Sequence, residues 1–152
     1  DESFSNIILL DITDNLDMNY RYDNCHFNQF GVEIISKEIS KLINKDLSKS
    51  YVRVEVICDR EGFWLKPHCD IKEKLVSCLL FVNEFNESED LGTDFYNEKL
   101  EKVKTVPYKN NYGYFFSSGP NTWHGMEKKE IVKERRCLQV NYVSFPTDWK
   151  VE

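Results

Sequence analysis

Three side chains hold the clearest chemical potential in this sequence: His68 and Asp70, in His68-Cys69-Asp70, and His124, in Asn121-Thr122-Trp123-His124-Gly125. In an extended strand, side chains two positions apart leave the same face. An imidazole and a carboxylate therefore project together from the segment that follows Pro67. Two imidazoles and one carboxylate on one side of a metal leave adjacent coordination positions open, as in non-haem ferrous centres that handle O2. A closed four-ligand Cys/His site leaves no such room. The residues alone admit two readings: a metal centre, or a chance H-x-D and a histidine that belongs to the surface or the core.

A second polar array lies later, in Arg135-Arg136-Cys137-Leu138-Gln139-Val140-Asn141-Tyr142. Arg135, Cys137, Gln139 and Asn141 share one face of a strand, and Arg136, Leu138, Val140 and Tyr142 share the other. If this strand is internal, the polar face lines a wet cavity and Arg135 offers a rigid fork for a carboxylate. If it is an edge strand, Arg135 is a surface charge. A register slip of one residue would exchange Arg135 for Arg136.

Something must bring these distant residues together. Phe27, Phe30, Ile34, Ile35, Ile39, Leu42 and Ile43 follow three-and-four spacing, which predicts an amphipathic helix over about residues 24–45. A short apolar run at residues 4–12 reads as a strand. From residue 51 the pattern changes to short β-like runs at residues 52–58, 63–68, 75–82, 93–96, 102–106, 113–116, 123–126 and 135–143. Turn-forming groups such as Arg60-Glu61-Gly62 and Ser117-Ser118-Gly119-Pro120-Asn121 separate them. The prediction is a mainly β chain with a flanking helix, its strands arranged as a jelly roll.

The order of these pieces resembles a known family. Glu61-Gly62-Phe63-Trp64-Leu65-Lys66-Pro67-His68-Cys69-Asp70 is similar to the approach to the iron in 2-oxoglutarate/Fe(II) dioxygenases, particularly the prolyl 4-hydroxylase-like branch. Leu75-Val76-Ser77-Cys78-Leu79-Leu80-Phe81-Val82-Asn83 resembles the strand that follows there, and Leu91-Gly92-Thr93-Asp94-Phe95 resembles the next glycine turn. Phe115-Phe116 with Asn121 to Gly125 resembles the distal-histidine strand, and Arg135 follows eleven residues after His124. The resemblance covers roughly residues 52–142.

It implies a double-stranded β-helix in one domain over residues 1–152, with a strand and helix at about 1–47 bracing a roll at about 51–145. It implies Fe(II) held by His68, Asp70 and His124, with O2 and the cosubstrate 2-oxoglutarate. Arg135 would anchor the cosubstrate, with Ser77, Leu79, Phe81 and Gln139 around it. The implied activity is hydroxylation of peptidyl proline, with the loop at residues 83–91 a candidate for gripping a peptide. A free amino acid or other small metabolite is the alternative substrate, and a non-catalytic cupin-like metal- or ligand-binding module is the alternative class. The chain departs from the branch in several places. Its glycine turn is reduced to Leu91-Gly92, and it would anchor with Arg135 where some relatives use Lys. Many relatives carry a Tyr on the strand before H-x-D, where this chain reads Ile57-Cys58-Asp59, and Phe81 lacks the hydroxyl that relatives often have.

Composition narrows the rest. A net charge of −6, with basic runs diluted by Glu, disfavours nucleic acid, whose binders neutralise phosphates with a basic face. That also weakens a nucleobase demethylase reading. Five Cys without a C-x-x-C pair suggest reduced thiols in a cytoplasmic setting. No apolar run is long enough to span a membrane. Cys69, between two proposed ligands, should point away from the metal. Core packing is the default for Trp64 and Trp123, and a structural role is the default for His26.

Overall fold

The computed structural model describes residues 29–146. The strand expected at 4–12, the expected helix start at 24–28 and His26 lie outside them. Contacts divide the chain between Lys49 and Ser50 into two units.

In the first unit, helix α1 spans Gln29–Ile43. Its end is built by Asn44, which adopts a left-handed φ of 51°. Asn is one of the few non-glycine residues that tolerate this conformation. The turn lets Lys45 N–H reach the Ser40 carbonyl at 3.1 Å and Asn44 N–H reach the Lys41 carbonyl at 3.3 Å. These two bonds form a Schellman motif, which satisfies carbonyls the helix would otherwise leave without partners.

The second unit holds eight strands: β1 (Tyr51–Asp59), β2 (Leu65–His68), β3 (Lys74–Val82), β4 (Asp94–Tyr96), β5 (Lys102–Thr105), β6 (Tyr112–Ser117), β7 (His124–Met126) and β8 (Arg135–Val143). A short 3-10 turn covers Glu89–Leu91. Every strand expected from residue 51 onward is present, and no boundary moves by more than two residues. The β1–β2 connection turns at Gly62, whose φ of +85° suits position three of a type II turn closed by Phe63 N–H to Arg60 C=O at 3.0 Å.

One sheet has the order β1-β8-β3-β6 and the other β2-β7-β4-β5. Strand β1 pairs with β8, β2 with β7, β3 with β6 and β4 with β5, all antiparallel. That is one long hairpin folded over on itself, a jelly roll in double-stranded β-helix form. Rolling it this way brings together residues far apart in sequence. Strand β8 lies between β1 and β3, so the Arg135 strand is internal and its inward polar face meets a cavity rather than bulk solvent.

The core is rich in rings. Phe81, Tyr108 and Leu91 are fully buried, and Phe95 and Tyr96 nearly so. Edge-to-face contacts link Phe81 to Tyr108 at 5.3 Å, Phe95 to Tyr114 at 5.7 Å and Phe95 to Phe116 at 5.6 Å. The quadrupoles of aromatic rings favour this geometry over face-on stacking. Phe116 continues the series to the His124 ring at 4.8 Å. The minor sheet is pinned by Asp94, a fully buried carboxylate. It accepts hydrogen bonds from Lys129 Nζ at 2.9 and 3.0 Å, Thr105 Oγ1 at 2.6 Å and Glu127 N–H at 2.8 Å. A buried charge is tolerated only when paired in this way.

Candidate metal centre and its cavity

Strands β2 and β7 place the two histidines. His68 and His124 are direct cross-strand partners, and such pairs bring side chains on one face into contact. Their ring centroids are 4.4 Å apart. Close approach of the strands requires Gly125, because a Cβ there would lie 2.5 Å from the Leu65 carbonyl oxygen. Asp70 follows two residues after His68 and enters the same space. The ligand atoms of His68, Asp70 and His124 all lie within 4.8 Å of one another, a cluster that could hold a metal ion.

Each imidazole is oriented by its own chain. His68 Nδ1 meets the Lys66 carbonyl at 2.9 Å, and His124 Nδ1 meets the Thr122 carbonyl at 2.9 Å. A carbonyl only accepts, so each Nδ1 carries the proton and donates it. Each Nε2 then keeps its lone pair, and His124 Nε2 faces Asp70 Oδ1 at 4.0 Å. Metal-ligating histidines are fixed in this manner, with one ring nitrogen donating and the other free to ligate. Burial holds the His124 pKa below its ordinary value, although the Thr122 hydrogen bond and the Asp70 charge oppose this. The neutral ring that a metal needs is thereby favoured.

Asp70 is positioned by three donors: Lys74 Nζ at 2.8 Å on Oδ1, and Ser77 Oγ at 2.8 Å and Ser118 Oγ at 3.0 Å on Oδ2. Burial works to raise its pKa, but the Lys74 and Ser77 hydrogen bonds and the Lys74 charge outweigh it and hold the group below the usual carboxylate range. The site chemistry fits a divalent cation: two neutral nitrogen donors, one carboxylate and no thiolate within the cluster.

A cavity of about 430 Å³ opens beside the cluster. Its wall includes Arg135, Cys137, Gln139 and Asn141 from β8, Ser77 and Leu79 from β3, and Arg53, Glu55, Ile57 and Asp59 from β1. The β1–β8 register, Asp59 opposite Arg135, turns Arg135 inward. Arg136 takes the outer face and pairs with Glu84 and Glu134. Arg135 is buried, and its Nη1 donates to Asp59 Oδ2 at 2.5 Å while its Nε donates to the Leu91 carbonyl at 2.6 Å.

Several expectations need correction. Phe81 does not line the cavity; it is fully buried. Its ring points inward but lies beneath Tyr108, Tyr114 and the Arg135 guanidinium, at 5.3, 5.8 and 5.4 Å. Lacking a hydroxyl, it belongs in that apolar layer. Ser77 reaches the wall, but its hydroxyl is spent on Asp70, so it supports the candidate metal ligand. The 83–91 loop supplies no residue to the wall. It is stapled elsewhere: the Glu87 carboxylate accepts from the backbone N–H groups of Val132 at 3.1 Å and Glu134 at 3.2 Å. Trp64 is 57% exposed and is not a core residue. Cys69 keeps to expectation: its thiol donates to the Pro120 carbonyl at 3.2 Å and is not among the clustered ligand atoms.

Sequence reasoning missed Asp59, Lys74, Ser118 and Tyr114. Tyr114 lines the cavity and donates to Thr93 Oγ1 at 2.6 Å, which places an aromatic hydroxyl there from β6. For Asp59 a signal was present: Arg53, Glu55, Ile57 and Asp59 share one face of β1 by simple alternation.

Two four-stranded antiparallel sheets form a jelly roll around a His-Asp-His cluster that could hold a metal ion. Among solved structures, the chain is similar to a Pseudomonas putida prolyl-4-hydroxylase, with a TM-score of 0.55 and 18% identity over 77% of this chain. The match spans 64% of that hydroxylase's chain. No protein-family model matches the sequence, and no curated protein matches it. At this identity the likeness is one of fold.

Proposed function

We propose that the chain is an Fe(II)- and 2-oxoglutarate-dependent hydroxylase, with peptidyl proline as the substrate. The observation that carries this reading is the pair of histidines facing each other across β2 and β7, each with Nδ1 committed to a carbonyl, beside an aspartate held by three donors. His68, Asp70 and His124 would hold the iron as the metal ligands and catalytic centre. Arg135, with Leu79 and Gln139 along the same cavity wall, would meet the cosubstrate. When bound, iron and 2-oxoglutarate supply, with O2, the oxidising power for C–H hydroxylation, with succinate and CO2 as co-products. The chain's own part is to orient the ligands and to favour the neutral His124 ring, against which the Phe95 and Phe116 rings pack.

A second substrate class is favoured by two features. The 83–91 loop is stapled away from the cavity, and the wall carries a charged Arg53–Glu55 pair. Both suit a small polar metabolite, such as a free amino acid, better than an extended peptide. We also assign the protein to a reducing, cytoplasmic compartment, supported by the free thiols of Cys58, Cys69, Cys78 and Cys137. No helix among the described residues is long and apolar enough to cross a membrane.

The class is tested by adding Fe(II) and 2-oxoglutarate anaerobically and recording the visible charge-transfer band. Wild type should show it and His68→Ala should not. A wild-type protein that binds Fe(II) but not 2-oxoglutarate leaves the cupin-like metal-binding reading in its place, and one that binds neither overturns the hydroxylase reading. Succinate release with proline-rich peptides, compared with a panel of amino acids and other small metabolites, then separates the two substrate classes.

A further inference from the structure

The cavity holds three charged pairs: Arg53–Glu55, Lys74–Asp70 and Arg135–Asp59. The third lies where the proposed function needs a free cation. Arg135 is 5% exposed and Asp59 6%. They are opposite each other in the β1–β8 register, so the contact is built into the sheet rather than made by a mobile side chain. The guanidinium fork is divided. Nε is committed to the Leu91 carbonyl, Nη1 to Asp59, and among the described residues no acceptor meets Nη2. The planar face is also covered, with Phe81 and Tyr108 rings at 5.4 and 5.8 Å.

We propose that Asp59 is a resident competitor for the cosubstrate anchor and is the residue that sets affinity for a dicarboxylic 2-oxo acid. This rests on the hydroxylase reading for its biological meaning, though the competition itself can be measured without iron. A bidentate fork recognises a carboxylate through two parallel N–H donors. With Nη1 occupied, an incoming distal carboxylate meets Nη2 alone. It must also approach a carboxylate already bound to the same cation, and two carboxylates sharing one site repel strongly where water is excluded. A 2-oxo acid without a distal carboxylate meets neither obstacle.

The test uses Asp59→Asn and Asp59→Ser, the second opening space where the first keeps shape, with Arg135→Gln as the control. Calorimetry would follow 2-oxoglutarate and 2-oxovalerate binding to the anaerobic Mn(II)-loaded protein, and glutarate binding to the metal-free protein. Either Asp59 substitution should tighten 2-oxoglutarate at least about tenfold, equal to about 1.4 kcal/mol. Glutarate should gain similarly, while 2-oxovalerate should change little. Combining Arg135→Gln with either Asp59 substitution should abolish the gain. Unchanged or weaker 2-oxoglutarate and glutarate binding in both Asp59 variants overturns the proposal. So does an equal gain for 2-oxovalerate, which would mean a wider cavity rather than a freed anchor. Failure of the wild type to take up Mn(II) counts against the hydroxylase reading, and the glutarate comparison still decides the role of Asp59.

Discussion

Asp70→Asn separates the structural and metal-binding roles of the carboxylate within one shape-conserving change. In the metal-free protein Asp70 accepts hydrogen bonds from Lys74, Ser77 and Ser118, and its side chain is 5% exposed. Losing a hydrogen bond to a charged partner costs about 1.5–3 kcal/mol. Lys74 is 18% exposed and can turn part of its ammonium to water, so the lower part of that range applies, about 2 kcal/mol. For a domain of this size that lowers Tm by about 6 °C. The pH dependence has a definite sign. The folded pKa of Asp70 is depressed, so its contribution is present above the ordinary carboxylate pKa and disappears as pH falls through the folded value. The variant should lack that acid-side loss. With metal the contrast widens. A divalent ion at about one hundred times its Kd stabilises the wild type by about 2.7 kcal/mol. The variant should gain nothing. Thermal unfolding by circular dichroism, with Mn(II) or with EDTA, measures both effects. A variant that melts with the wild type in EDTA would refute the three-donor argument, and one that keeps the full Mn(II) shift would refute Asp70 as a ligand.

Two further outcomes are expected. Gly125→Ala should push β7 from β2, because the new Cβ would stand 2.5 Å from the Leu65 carbonyl oxygen and 3.2 Å from Lys66 C. Mn(II) affinity should fall at least about tenfold, or about 1.4 kcal/mol, measured by calorimetry on protein shown to be folded. Burial pushes the Cys78 thiol up to about 11 from 9.0. The folded thiol keeps its proton where the unfolded one loses it, so stability declines as pH rises through this interval. Between about pH 8 and pH 10 the wild type should lose about 1.3 kcal/mol that Cys78→Ala does not lose, read by urea unfolding. Tyr96, pushed up to about 12 from 10.0, adds its own decline from near pH 10 and does so equally in both proteins.

The local patterns were legible along the chain. Short β-like runs bounded by turn-forming groups located all eight strands, because β-rich segments and turn residues punctuate the chain locally. Alternation put His68 with Asp70, and Arg135 with Gln139 and Asn141, since neighbours on one strand face are related by spacing alone. What no spacing contains is the pairing between strands. That His68 stands across from His124, and Asp59 across from Arg135, follows from how the long hairpin rolls and from the register it takes. One residue of slip would reverse every face.

For the same reason the sequence could name Arg135 or Arg136 but not choose between them, whereas the β1–β8 register turns Arg135 inward and leaves Arg136 with Glu84 and Glu134 outside. Phe81 shows the opposite limit. Alternation aimed it inward correctly, but only packing decided that Tyr108, Tyr114 and Arg135 would cover it. Facing direction is a property of one strand and can be read from residue order. Exposure at a cavity wall depends on which side chains from other strands fill the space in front, and that is decided when the two sheets close over one another.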